Sequence, residues 1–241
     1  MRLRTSLLTG VVLWVLALAW DLTGWDWAVM RALGTETGFA LRHDFWLEVV
    51  LHDGARRAAQ LALAVVAVFT VKPLTQRHLP SLALPWQALA GVLACLVVAG
   101  LVKRYSATSC PWELDAFGGV ARYVSHWTWG LDDGGSGRCF PGGHASAAFA
   151  FWPVALAWMH SPSDRMRRLG RWLWWLVLAA GLVLGGVQTL RGAHYPSHTL
   201  WTAVLCWTLT VLMAVLERAR STWATRQDAV LNSRCSPLPH P

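Results

Sequence analysis

The chain has 241 residues, of which 55% are hydrophobic and 14% charged, and its formal net charge at pH 7 is +8. This composition is typical of a membrane protein rather than of a soluble domain. The positive charge does not indicate a nucleic-acid partner, because basic residues in short cytoplasmic loops, beside anionic lipid headgroups, account for most of it.

Six apolar segments have about the length that the hydrocarbon core of a bilayer requires. They cover residues 5–22, 55–71, 84–102, 145–160, 172–190 and 199–216. We expect the first to be a retained helix rather than a signal peptide, because no small-residue cleavage site follows it. The pattern predicts an all-α, polytopic membrane bundle of about six transmembrane helices over residues 1–218, followed by a frayed cytoplasmic tail over residues 219–241.

The connection between the first two segments is rich in tryptophan and mixed in charge. Periodic apolar positions predict two short interfacial helices, at residues 25–33 and 39–51. We interpret the polar residues that follow as the start of the second transmembrane helix. The alternative is that His52 or Arg56 contacts a substrate.

The connection at residues 104–140 is the longest loop before the fourth segment, and it is rich in turn-forming glycines. A loop of this length in a compact membrane protein is typical of a lid or a substrate rim. Further along the chain, Pro153 predicts a kink in the fourth segment, and Pro162 marks the turn after it.

Basic residues predict the orientation of the bundle. If six helices alternate, one side carries Arg2, Arg4, Lys72, Arg77, Arg165, Arg167, Arg168, Arg171, Arg218, Arg220 and Arg226. The positive-inside rule assigns that side to the cytoplasm. We therefore expect a bacterial inner-membrane protein with both termini in the cytoplasm and with the lid, together with Lys103, on the periplasmic side.

Residues 188–198, Gln-Thr-Leu-Arg-Gly-Ala-His-Tyr-Pro-Ser-His, place an arginine and two histidines between two apolar segments. Ionisable groups at such a position are costly and indicate a functional site. His194 and His198 are four residues apart, and a helical segment would put both imidazoles on one face. Because Arg191 repels metal ions and binds phosphate oxygens, the cluster favours a phosphate over a metal, and we expect no cofactor.

A second polar stretch, residues 138–144, precedes the fourth apolar segment. Pro141, Gly142 and Gly143 predict a turn whose N–H groups point at an anion, and His144 lies at the start of the helix that follows. We interpret this turn as the other half of the same phosphate site.

These stretches resemble the three motifs of the type 2 phosphatidic acid phosphatase (PAP2) superfamily, which are Lys-x6-Arg-Pro, Pro-Ser-Gly-His and Ser-Arg-x5-His-x3-Asp. Lys103 and Pro111 match the first motif, residues 141–144 the second and residues 188–198 the third, so that the resemblance covers about residues 84–216. Several positions depart from the motifs. Cys110 and Gln188 stand in place of arginines, Gly142 in place of serine and His198 in place of aspartate.

The resemblance implies a metal-independent membrane phosphatase for lipid phosphates or pyrophosphates that acts at the outer leaflet. His194 would attack phosphorus, His144 would protonate the leaving group and His198 would orient His194. The implied phosphate-binding groups are Lys103, Arg191, Arg138 and the N–H groups of Gly142 and Gly143, with Gln188 and Arg56 as minor candidates. A lipid phosphotransferase and a non-catalytic lipid-phosphate binder or transporter are the alternatives.

The other five histidines lie outside the three motifs. We read His43, His52, His78, His126 and His160 as scattered polar residues without a catalytic role.

Two of the five cysteines, Cys110 and Cys139, fall on the expected periplasmic side, where disulfides persist. Cys95 and Cys206 lie in apolar helices, and Cys235 lies in the tail. We therefore predict a disulfide between Cys110 and Cys139 that ties the two ends of the lid together.

Overall fold

The computed structural model describes residues 3–75, 84–128 and 130–235, and these are mostly helical. The helices are α1 (Leu3–Thr23), α2 (Trp25–Leu33), α3 (Gly54–Thr75), α4 (Trp86–Tyr105), α5 (Gly143–Phe149), α6 (Trp152–Met159), α7 (Asp164–Leu190) and α8 (Pro196–Cys235). A π-helical segment, Trp46–Asp53, runs directly into α3, and strands β1 (Gly34–Thr35) and β2 (Gly38–Phe39) form a small antiparallel hairpin. The predicted all-α bundle is confirmed.

Five helical stretches in the described part of the chain are long and apolar enough to cross a membrane: Leu3–Thr23, Trp46–Val71, Trp86–Tyr105, Asp164–Leu190 and Pro196–Arg220. Half (50%) of the most apolar window of α8 is buried within the protein, against 11% for α1. The helix α8 is therefore central and packs against α1, α4, α5 and α7. The outer helices expose large apolar side chains such as Leu8 and Leu61, a surface that suits lipid.

The fourth apolar segment is divided between two short helices. Pro153 has no N–H, and inside a continuous helix its ring would clash with the carbonyl of Phe149, so α5 ends at Phe149 and α6 begins at Trp152. The segment still reaches from one end of the bundle to the other. His160, at its end, accepts a hydrogen bond from the Arg218 guanidinium at 3.3 Å, near the far end of the membrane-spanning part of α8.

An aromatic core holds this broken crossing in place. The rings of Phe149 and Trp152 stack with centroids 4.7 Å apart, and Trp207 on α8 meets Trp152 edge-on at 5.3 Å. Gly181 on α7 admits this cluster, because a Cβ atom there would lie 2.1 Å from Cε1 of Phe149. Aromatic pairs of this kind stabilise by about 0.5–1.5 kcal/mol beyond the area they bury.

The long loop at residues 104–140, here called the lid, is held by polar contacts and by apolar packing. The buried Asp133 carboxylate accepts hydrogen bonds from the Ser109 N–H at 2.6 Å and from the Ser109 hydroxyl at 2.7 Å. Phe117 packs with Met30 of α2 and with Phe39 of β2 in a separate apolar cluster. The lid is thereby attached to the segment between α1 and α3.

Two sequence-based predictions are wrong. The predicted interfacial helix at residues 39–51 is absent. Instead, Asp44 caps the π-helical segment by accepting the Leu47 N–H at 3.0 Å, and the second crossing starts at Trp46. The predicted frayed tail is helical as far as Cys235, because no proline or glycine interrupts α8 after Pro196. The other interfacial helix, at residues 25–33, coincides with α2.

Candidate active site

The turn between α7 and α8 positions the central histidine. Gly192 adopts a left-handed backbone with φ 74°, which ends α7, and a Cβ atom there would lie 2.3 Å from Cδ2 of Phe39. The carbonyl of Gln188 accepts the N–H groups of Ala193 at 2.8 Å and of His194 at 3.3 Å. Pro196 then starts α8, as proline often does at a first helical position. His194 therefore lies in the turn that leads into α8.

His194 and His198 meet through their Nδ1 atoms, which lie 3.4 Å apart, a long distance for a hydrogen bond. Both side chains are buried. If His194 donates its Nδ1–H, its Nε2 keeps a free lone pair, and His198 must then carry its own hydrogen on Nε2. That Nε2 atom is buried without a hydrogen-bond partner among the described residues. In this tautomer the His194 Nε2 is available for reaction.

The electrostatic surroundings keep His194 neutral. Burial lowers the pKa of its imidazole well below the ordinary value, and the charges of Lys103 and His144 lower that pKa further. A neutral imidazole is the form that acts as a nucleophile.

The lid disulfide lies against His194. Cys110 and Cys139, the pair predicted from the sequence, are bonded, with Cα atoms 5.1 Å apart. The Cys139 Sγ lies 3.4 Å from Nδ1 of His194. Cys95 and Cys206 are free and buried, and the side chain of Cys235 lies outside the described part of the structure.

Donor atoms of Cys110, Cys139 and His194 lie within 4.8 Å of one another, a grouping that suits a metal ion. The two sulfurs are bonded to each other, however, and neither can act as a thiolate ligand. With the disulfide formed, these residues do not hold a metal.

His144 lies in the first turn of α5, just before the apolar segment, and its ring stacks on that of His52. The ring centroids are 3.9 Å apart, and the planes are tilted by 34°. Burial lowers the pKa of His144 to about 4, and the charges of His52, Lys103, Arg191 and Arg56 lower it in the same direction. His52 thus lies beside His144, which favours the alternative that His52 or Arg56 contacts a substrate over the interpretation of His52 as a scattered polar residue.

Lys103, in the last turn of α4, reaches the start of α5. A Cβ atom built on Gly143 would lie 3.9 Å from the Lys103 Nζ. As the first residue of α5, Gly143 has an N–H with no acceptor inside the helix. The prediction for Gly142 is wrong, because its N–H donates to the Thr202 hydroxyl at 3.0 Å and cannot also bind a phosphate.

Arg191 is buried and held by three acceptors. Its Nη2 lies 3.1 Å from Oε1 of Glu48, its Nε donates to the Arg42 carbonyl at 3.0 Å, and its Nη1 donates to Oε1 of Gln188 at 3.4 Å. Its charge contributes to the lowered pKa of His144, which places the guanidinium near that ring. Of the two arginines that the sequence left as candidates, this one belongs to the cluster.

Arg138 and Arg56 are both exposed, and only one of them acts on the histidines. Arg56 contributes to the lowered pKa of His144. The side chain of Arg138 makes no polar contact with a histidine among the residues that the structure describes. The neighbouring Cys139 turns inward to bond Cys110, whereas Arg138 is exposed, and its role in phosphate binding stays a prediction.

Sequence reasoning missed Asp26 and Glu48, acidic residues that support the site from outside the motifs. Asp26 is buried and accepts the Ser197 N–H at 3.0 Å and the Ser197 hydroxyl, which anchors α2 to the start of α8. The position of Asp26 in an apolar stretch could have indicated a structural role, because an acidic residue there is costly unless it has partners.

His126 also lies beside the site rather than apart from it. Its ring stacks on that of Phe140 and approaches the ring of His198 edge-on, with the two histidine centroids 5.7 Å apart. His43 is an exposed partner of Glu48 and His160 lies at the opposite end of the bundle, while His78 lies outside the described residues.

A family model described as the PAP2 superfamily matches residues 84–221. No curated protein and no solved structure matches the chain. The matched region runs from α4 to α8 and contains Lys103, the lid, His144 and the turn with His194. Since it covers more than half of the sequence, the chain belongs to the PAP2 superfamily.

Proposed function

We propose that the protein is an integral membrane phosphatase that hydrolyses lipid phosphates or pyrophosphates through a phosphohistidine on His194. The superfamily consists generally of phosphatases, and the long apolar helices fit a membrane enzyme. The observation that carries the proposal is the cluster of neutral His194, stacked His144, Lys103 and buried Arg191 at one end of the bundle.

In the first step, the Nε2 lone pair of His194 attacks phosphorus, the N–P bond forms, and the bond from phosphorus to the leaving oxygen breaks. His144 donates a proton to that oxygen, which leaves as an alcohol or as a phosphate. The Nδ1–H of His194 faces His198, which shares the positive charge that develops on the ring. An imidazole supports this charge less strongly than a carboxylate would.

In the second step, water attacks the phosphohistidine. His144, now neutral, accepts a proton from the water, the N–P bond breaks, and His194 regains its lone pair. Inorganic phosphate is released, and both histidines return to their starting states.

Cations hold the phosphate and tune His144. Lys103 and Arg191 are suited to binding the non-bridging oxygens, and Gly143, whose N–H has no acceptor inside α5, lies close to Lys103. In the free protein the pKa of His144, about 4, keeps it neutral at pH 7. A bound phosphate brings negative charge beside the ring, which raises that pKa toward the value that a general acid needs.

The periplasmic side is the favoured location of the site. The disulfide next to His194 fits an oxidising compartment, whereas the arginines at residues 165–171 lie at the opposite end of the bundle, where the positive-inside rule predicts the cytoplasm. A lipid phosphate in the outer leaflet has its headgroup at the depth of this cluster. The substrate class therefore agrees with the position of the site along the helices.

The proposal is tested by phosphate release from lipid phosphates by the detergent-solubilised protein. His194→Ala should reduce turnover by at least the roughly 10²–10⁴-fold that a general acid contributes, and His144→Ala should reduce it within that range. Asp164→Ala, an exposed change at the other end of the bundle, is the matched control and should behave as wild type.

Acid-quenched wild-type protein incubated with labelled substrate should carry label on His194. Retention of a tenth of wild-type turnover by His194→Ala on every substrate would contradict the mechanism. Transfer of label to a second lipid without phosphate release would identify a phosphotransferase instead, and binding without turnover would identify a non-catalytic binder.

A further inference from the structure

The stacked pair of His52 and His144 joins two parts of the chain that the family motifs do not connect. His144 belongs to the matched region, residues 84–221, whereas His52 lies outside it in the π-helical segment before α3. At a centroid separation of 3.9 Å the two rings are in van der Waals contact. Rotation of the His144 ring is therefore restricted by His52.

His52 is itself held in position. Its Nδ1 lies 2.9 Å from Oδ1 of Asp53, and because a carboxylate only accepts, the Nδ1 atom carries the hydrogen. The imidazole is half-buried between Asp53 on one side and the ring of His144 on the other. Asp53 thus holds the ring of His52, and the ring of His52 limits the orientation of the ring of His144.

We infer that His52 is a positioning residue for the general acid: held by Asp53, it fixes the plane of the His144 ring and disfavours a proton on His144 until an anionic substrate arrives. The inference rests on the proposed role of His144. Its physical basis is that two stacked imidazoles repel when both are charged, whereas a phosphate beside the pair compensates the second charge.

The groups around His144, from every element packed against it, all lower the pKa of its imidazole. Lys103 on α4, Arg56 on α3, Arg191 at the end of α7 and His52 itself each lower the pKa of His144, which burial has already lowered to about 4. Asp53 is the acidic group on the side of His52. Replacing His52 with a side chain that cannot be protonated should therefore raise the pKa of His144 and extend its protonated form to higher pH.

The test compares two phosphate monoesters that the wild-type protein hydrolyses, one with an alkoxide leaving group and one with 4-nitrophenolate. Only the alkoxide needs a proton from His144. His52→Ala should lower kcat for the alkoxide ester on the order of tenfold, a part of the roughly 10²–10⁴-fold that a general acid supplies, and change the nitrophenyl rate little. The retained nitrophenyl rate also shows that the variant is folded.

His52→Phe separates position from charge, because its ring can still stack but cannot be protonated. It should retain more of the alkoxide rate than His52→Ala, and the alkaline limb of its kcat profile should move to higher pH. Arg57→Gln, an exposed change on α3, is the matched control and should leave both rates and the profile unchanged.

His144→Gln makes the outcomes distinguishable. If it does not slow the alkoxide ester selectively, the general-acid role of His144 fails, and the inference fails with it. If His144→Gln is selective but His52→Ala slows both esters equally or neither, only the inference for His52 is overturned. An alkaline limb that does not move in His52→Phe overturns it as well.

Discussion

Replacing Asp26 with alanine should destabilise the protein and disturb the catalytic histidines together. The Asp26 carboxylate is buried and accepts three hydrogen bonds, from the indole of Trp20 at 2.8 Å and from both the N–H and the hydroxyl of Ser197. Ser197 directly precedes His198 at the start of α8, whose positive end the carboxylate also faces.

Loss of the carboxylate leaves these buried donors without their acceptor. A buried donor that loses its acceptor costs about 1–3 kcal/mol, which gives on the order of 3–5 kcal/mol for the three donors together. For a chain of this length, such a loss lowers the midpoint of thermal unfolding by roughly 6–20 °C. A displacement of His194 and His198 by an ångström would also lower kcat by up to about 10²-fold.

Thermal unfolding in detergent and phosphate release measure the two effects of Asp26→Ala. Asp164→Ala is the control, because Asp164 forms an exposed ion pair with Arg167 that stabilises by less than about 1 kcal/mol. If the midpoint for Asp26→Ala were no lower than for Asp164→Ala, Asp26 would not anchor α2 to α8. A lower midpoint with unchanged kcat would show that the anchor does not position the histidines.

Three further predictions concern the site. His198→Asp should remain active, because a carboxylate can accept the His194 Nδ1–H. His198→Leu removes that acceptor and should lower kcat by up to about 10⁴-fold. If the leucine variant were as active as wild type, His198 would be a packing residue. Replacing both Cys110 and Cys139 by serine should lower the free energy of unfolding by about 3.5 kcal/mol, because the disulfide closes a loop with a sequence separation of 29. Identical denaturant midpoints for the serine variant and wild type would contradict this prediction. Arg191→Ala should lower kcat/KM by about 10²-fold through lost binding of phosphate oxygens, and Gln188→Ala by less; the reverse order would exchange their roles.

The sequence by itself determined the properties that depend on a single segment. Apolar segments at residues 172–190 and 199–216 fall within α7 and α8, and the segment at residues 84–102 largely coincides with α4, because bilayer thickness sets the length of a spanning helix whatever its neighbours are. Pro153 likewise divides the fourth segment through its own missing N–H. The three motifs carry residue types whose chemistry is local, and they were sufficient to indicate a phosphate site.

Only the tertiary structure decided which side chains meet. The sequence offered both Arg191 and Arg138 as phosphate-binding candidates. Of these two, only Arg191 is buried, where Glu48, from a different helix, supplies the anion that a buried guanidinium requires. Asp26 reaches Ser197 across 171 positions of sequence. His52 reaches His144 in the same way, from the π-helical segment before α3. Hydrophobic periodicity reports that a helix has a lipid-facing side, but the rotation and axial register that bring two polar residues together at a helix end depend on packing against its neighbours.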